Sequence, residues 1–196
     1  MPKYVDHDKQ KEIIAEAVWR IIAREGMEQV SVRKAAEEAG VSPGSLRHYF
    51  SSQSELFIFS MKSVSDRVRK RVQNAPFTGV PLDDMEMVLE EILPLTDETR
   101  TETEVWFTFI ARAFTDAALS DVSHEVYDQT RAGIALIIQG LIKLKIARED
   151  LDEELETERL FALIDGLAIH GVIRPAHCTP EMMIKTVRLH LHSLCR

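Results

Sequence analysis

The sequence predicts an all-α protein made of a short N-terminal helix-turn-helix domain of three helices and a larger helical C-terminal domain. Apolar residues recur at steps of three and four along most of the chain, the period of one helix face. The eight Gly and seven Pro fall mainly where helices would stop or start. The period-two alternation of a half-buried strand is nowhere evident.

Residues 9–25 form the first predicted helix, with Ile13, Ile14, Ala17, Val18, Ile21 and Ile22 on one face. Gly26 ends it. Ser31 reads as an N-cap for a short helix that turns Val32, Ala35, Ala36 and Ala39 inward. Gly40 stops that helix, and Ser42 caps the next, with Pro43 at its first position. This third helix is expected to end near Tyr49. Ser51 or Ser52 opens a long helix to about Val72. The segment 74–79, with Pro76 and Gly79, is the one clear linker, so the domain boundary is placed there: 1–74 and 75–196. Beyond it, helices are expected at 81–93, 98–118, 121–146, 153–173 and 180–194.

The net charge of −8 hides an uneven distribution. Residues 1–74 carry 13 Lys and Arg against 10 Asp and Glu, whereas 75–196 carry 11 against 22. A basic segment with its cations on one face suits a phosphate backbone, and the acidic remainder is expected to sit away from it. Cys178 and Cys195 make no disulfide framework, so a reducing compartment is expected. The polar first twelve residues and the lack of a long apolar run lead to an expected cytoplasmic location without membrane contact.

The informative stretch is Ser31–Phe50. Small inward residues (Ala35, Ala36, Ala39) let a second helix pack close, Gly40 permits a tight turn, and Val41 plugs the corner. Ser42, Pro43, Gly44 and Ser45 leave the start of that helix slim enough to enter a major groove. Its free N–H groups point outward, and Arg47, His48 and Tyr49 add donors.

Gly26 through Leu56 resembles the N-terminal DNA-binding domain of the TetR family of regulators. The match runs through Ser31, Ala36, Ala39, Gly40, Val41, Ser42, Gly44, Leu46, Tyr49, Phe50 and Leu56. Two positions depart from the family pattern. Arg47 stands where Tyr is usual, and Gln53 where Lys is usual. The resemblance implies a DNA interface made of Ser31, Arg33, Ser42, Pro43, Gly44, Ser45, Arg47, His48, Tyr49 and Gln53. Residues 93–114 and 163–173 resemble the C-terminal domain of the betaine-responsive repressor subgroup, which implies a helical domain for effector binding and dimerisation.

The expected function is therefore a sequence-specific repressor, acting as a homodimer on a near-palindromic double-stranded operator and released by a small-molecule effector of unspecified identity. Helices 121–146 and 153–173 are assigned to the dimer interface. Gly140, Ala168 and Gly171 allow close approach there, and Leu160, Leu163, Ile164, Leu167 and Gly171 supply an apolar face. The effector is assigned to Trp106, Phe109, Arg112, Asp116, Phe161 and Asp165. Residues 106–116 either line a pocket, with Arg112 as a polar clamp, or only pack the core, with Arg112 and Asp116 paired at the surface. No cofactor, metal or enzymatic activity is expected. His170, His177, Cys178, His190, His192 and Cys195 fit no closed zinc pattern. The Glu-x-x-His motif of di-iron bundles is missing.

Overall fold

The computed structural model describes residues 7–196. Its helices are α1 (His7–Glu25), α2 (Val32–Glu38), α3 (Pro43–Tyr49), α4 (Gln53–Gln73), α5 (Pro81–Glu90), α6 (Asp97–Ala113), α7 (Ala117–Lys143), α8 (Glu153–Ile173) and α9 (Pro180–Ser193). A 3-10 turn at Met27–Gln29 joins α1 to α2. Among the described residues, extended pairing is limited to an antiparallel bridge between Ala147 and Cys195.

The helix starts follow from side chains that meet orphan N–H groups. Ser31 Oγ accepts from the Lys34 N–H at 3.2 Å, Ser42 Oγ from Ser45 at 3.0 Å and Ser52 Oγ from Glu55 at 3.1 Å. Asp152 and Thr179 do the same for α8 and α9. Several boundaries differ from expectation. The helix begun at Pro81 stops at Glu90, and the helix expected to reach 118 stops at Ala113. The second break has a local cause: the Asp116 carboxylate accepts the Ala118 N–H at 3.2 Å, so α7 starts at Ala117 rather than near 121. At the other end of α7, Lys145 takes the left-handed φ of 59° that lets the chain turn back.

The chain forms two compact units, Met1–Arg67 with Glu104–Ser123, and Val68–Thr103 with His124–Arg196. The non-helical linker expected at 74–79 is present between α4 and α5, but the units part inside α4, α6 and α7.

The first unit is built around Ile14, Val18 and Ile21 of α1, Ala35 and Ala36 of α2, Leu46 of α3, and Leu56, Phe57 and Met61 of α4, all buried. Phe109 of α6 completes it, fully buried with its ring 6.3 Å from that of Phe57 in an edge contact. Trp19 donates its indole N–H to the Ser60 carbonyl at 3.0 Å.

The second unit packs Leu89, Leu93, Ile134, Ile138, Leu141, Leu160, Ile164, Met183, Val187 and Leu191. It also buries Glu86, Glu102 and Glu156, which are only 5%, 3% and 2% exposed. Each is met by arginine: Glu86 by Arg188 at 2.8 Å, Glu102 by Arg71 at 2.9 Å, and Glu156 by Arg159 at 2.7 Å and Arg148 at 3.2 Å. Such pairing is what makes a buried carboxylate tolerable. Arg100 of α6 donates to the Gly171 and Val172 carbonyls at 3.0 and 2.9 Å, capping the C-terminal end of α8.

The residues expected at a dimer interface are used inside the chain. Leu160, Ile164, Leu167 and Ala168 are buried in the second unit, and Leu163 is half-buried. A Cβ on Gly140 would lie 2.8 Å from Met85 Cε, and one on Gly171 would lie 2.9 Å from both Met183 Sδ and Pro94 Cγ. These glycines allow neighbouring segments of one chain, not two chains, to approach. In a helix interior Gly→Ala normally stabilises, because alanine has the better propensity. Gly133→Ala, with nothing within 4 Å of the added Cβ, is expected to stabilise by about 0.5–1 kcal/mol. Gly171→Ala is expected to reverse the sign, at about 1–3 kcal/mol destabilising, because the Pro94 ring cannot swing aside. Urea unfolding of the two variants beside the parent checks this.

Candidate nucleic-acid interface

The short helix α3 cannot persist alone at seven residues. It is fixed by Leu46, fully buried, and by Phe50 just past its end. These anchors leave Ser42, Pro43, Gly44, Arg47 and His48 exposed, with Ser45 and Tyr49 half-buried. Gly40 makes the preceding turn with φ 69°. Gly44 is different: its φ is unremarkable, and an added Cβ would meet nothing closer than Ser42 Oγ at 3.8 Å. Neither backbone nor packing requires glycine there.

The cations of this unit fall into two groups. Arg20 and Arg24 both hold Glu38, at 2.8 and 2.9 Å, and Lys34 holds Glu25. These bonds tie α1 to α2. They keep both carboxyls below the usual range, chiefly through Arg20 at Glu38 and Lys34 at Glu25. Arg33 and Arg47 are exposed and have no partner among the described residues. Their charge is unspent.

Of the other expected contacts, Ser31 and Ser42 accept cap hydrogen bonds but keep a hydroxyl proton to donate. Gln53 has an internal partner that its position in the sequence did not suggest. Its Nε2 donates to the Val30 carbonyl at 2.7 Å, which ties the start of α4 to the residue before the Ser31 cap. Glu55 closes the same corner, its carboxylate accepting both the N–H and the O–H of Ser51 at 2.7 and 2.8 Å. The hydroxyl contact chiefly, then the amide, lowers its pKa.

The expected effector residues divide between the units. Trp106, Phe109, Arg112 and Asp116 belong to the first, and Phe161 and Asp165 to the second. Three of them have other duties. Phe109 is core against Phe57. Arg112 is turned to solvent with its side chain 44% exposed, 3.6 Å from Glu28 in the turn after α1. Asp116 caps α7. Arg112 thus makes a surface contact with Glu28 and not with Asp116, and Glu28 is a partner too distant in sequence for local spacing to indicate. Trp106 is half-buried. Phe161 is buried, its ring 4.9 Å from that of Tyr127 on α7. Asp165, one turn further along α8, is exposed and has no partner among the described residues; partial desolvation by its surroundings raises its pKa.

Among the described residues no helix is long and apolar enough to cross a membrane. Nor is any group of three or more His, Cys, Asp or Glu gathered to hold a metal ion.

Comparison with known proteins agrees with this geometry. Residues 14–58 match the family of bacterial regulatory proteins of the tetR type, and residues 81–196 match the C-terminal domain of BetI-type transcriptional repressors. The chain belongs to the TetR family of transcriptional regulators. The HTH-type transcriptional regulator PksA of Bacillus subtilis is 39% identical over 196 residues, spanning all of this chain and 94% of that protein. The HTH-type transcriptional regulator BetI of Vibrio atlanticus is 27% identical over 179 residues, 89% of this chain and 86% of that protein. Among solved structures, a transcriptional regulator from Rhodococcus sp. Rha1 superposes with a TM-score of 0.79 at 28% identity, covering 94% of this chain and 95% of its own. A regulator from Saccharomonospora viridis in complex with choline gives 0.83 at 24% identity, covering 96% and 99%. The present chain is thus a TetR-family, BetI-type transcriptional regulator, of a repressor family with an effector-binding C-terminal domain. This is a family of regulators and not of enzymes.

In this TetR-family regulator the internal bond of Gln53 sets an expectation. Gln53→Ala is expected to destabilise the first unit by about 0.5–1.5 kcal/mol, the net worth of one hydrogen bond. Because the side chain is uncharged and its donor is used inside the chain, the folded variant is expected to keep parental DNA affinity, which a gel-shift titration measures. A loss of affinity in the folded variant would identify Gln53 as a DNA contact instead.

Proposed function

We propose that the protein is a homodimeric repressor that inserts the exposed start of α3 from each chain into successive major grooves of a near-palindromic operator. The observation that carries this reading is the combination at α3: a glycine, Gly44, that nothing inside the chain requires, on the same short helix as the exposed and unpartnered Arg47. Gly44, with Ser42, Pro43 and Ser45, lies against base edges. Arg33, Arg47, His48, Tyr49 and the Ser31 hydroxyl meet backbone phosphates or bases. Gln53 supports the corner that holds them. A DNA target places the protein in the cytoplasm.

Pairing is assigned to α8 and α9. Leu155, Ala162, Ile169 and Ile173 lie exposed along one side of α8, with open space over Gly166. Met182 and Leu189 of α9 are likewise exposed, Leu189 by 72%. Steps of seven and four between these positions give each helix one outward apolar seam, which a second copy covers in a four-helix bundle.

The effector is assigned to the second unit at Asp165, one turn from Phe161 and its partner Tyr127. An exposed, unpaired carboxylate one helical turn from an aromatic pair suits a cationic organic molecule. Choline, present in the Saccharomonospora viridis structure, is the first compound to titrate. Binding such an effector favours a state that holds the operator poorly.

Selection of duplexes from a randomised pool, followed by gel shift, tests the DNA reading. An inverted repeat with half-sites about one helical turn apart is expected, and no enrichment would refute it. Arg47→Ala is expected to lower the salt slope of log K by about 0.9 if it meets a phosphate, or to cost about 1–3 kcal/mol at one base pair if it reads guanine. Gly44→Leu is expected to stay folded and lose specific binding. Ile169→Asp is expected to sediment as a monomer and lose the operator. Effector affinity is expected to fall as pH drops through the raised Asp165 value, since the cation needs the ionised carboxylate. Asp165→Asn is expected to abolish both the binding and its pH dependence in calorimetric titration.

A further inference from the structure

The first turn of α1 docks on the end of the recognition helix. His7 and Lys11 are four residues apart and so share one face of α1. The His7 ring lies 4.5 Å from the Tyr49 ring, tilted by 50°. Lys11 Nζ sits 5.9 Å from the centre of the Phe50 ring and 5.7 Å from that of Phe59. The aromatic pair that closes α3 is therefore clasped by two basic side chains from another helix. Phe50 is buried, and its contact with Lys11 is accounted for by packing and cation–π attraction. The His7–Tyr49 pair is not so explained. His7 is exposed and Tyr49 half-buried. Neither the imidazole nitrogens nor the phenol hydroxyl has a hydrogen-bond partner among the described residues. The pair sits immediately beside Arg47 and His48, which are also unpartnered.

We propose that His7 belongs to the DNA interface: it braces the Tyr49 ring, and the two side chains together hold one backbone phosphate at the flank of the recognition helix. Rings packed against each other in this way lose little freedom on binding, because each already restricts the other. Both offer a donor, which is what a phosphate oxygen requires. A contact of this kind carries no sequence information and adds affinity on every duplex alike. The inference rests on the DNA reading proposed above.

The test uses the full chain and a duplex that the parent protein selects from a randomised pool, beside an unrelated duplex of equal length. His7→Phe keeps the ring contact and removes the donors. It is expected to weaken binding about five- to tenfold on both duplexes, with unchanged circular dichroism. His7→Lys sets a permanent cation at the same place. It is expected to restore the affinity and to steepen the salt slope relative to His7→Phe by about 0.9. Tyr49→Phe is expected to weaken binding, and combining it with His7→Phe to cost less than the two separate losses. Parental affinity in His7→Phe, or no change of slope in His7→Lys, overturns the proposal while leaving the DNA reading intact. Failure of the parent protein to select any duplex overturns both.

Discussion

A helix of two turns presented to the outside must be held from behind. In this protein the constraint falls on Leu46 and Phe50, the buried anchors of α3. Each is sunk in the core that α1 and α4 supply. With the anchors in place, Ser42 and Pro43 fix where the helix begins, Gly40 lets the chain enter it steeply, and the outward residues need no structural role of their own. The bonds of Glu38 to Arg20 and Arg24 and of Gln53 to Val30 act on the surrounding elements, keeping α2 and the start of α4 in register with α1. The exposed charges are left over because the inner ones are consumed.

The second unit relies on a different device. Its buried carboxylates are each reached by arginines that remain partly in solvent. Removing one arginine would strand a desolvated charge, a heavier loss than that of a surface pair. Some of the strong negative charge of residues 75–196 is therefore internal and already neutralised.

The sequence made the helices legible because caps and periodicity are local signals. Ser31, Ser42, Asp152 and Thr179 act at the positions their residue types indicate, and the small inward residues of α2 pack as expected. The candidate DNA surface was legible for the same reason, since it lies within a continuous stretch of twenty residues or so. What escaped depends on distant partners. Arg112 meets Glu28, Gln53 meets Val30, and His7 meets Tyr49, and no spacing rule links such positions. Helix α8 was ambiguous in another way. It carries apolar residues on both sides, so periodicity could not say whether the stripe of Leu160, Ile164 and Leu167 or that of Leu155, Ile169 and Ile173 faces outward. Only the packing of Met183 and Pro94 at Gly171 separates the two.

The contact of Phe57 with Phe109 bears on how such proteins diversify. The N-terminal segment does not close its own core. It borrows a side chain from α6, far downstream in a region shared with the sensor part of the chain. A chimera that joined this segment at the 74–79 linker to the remainder of a relative would leave Phe57 facing whatever that relative carries in place of Phe109. New pairings of operator and effector are therefore not made by shuffling at the linker alone; the donor helix has to travel with its recipient, or co-vary with it.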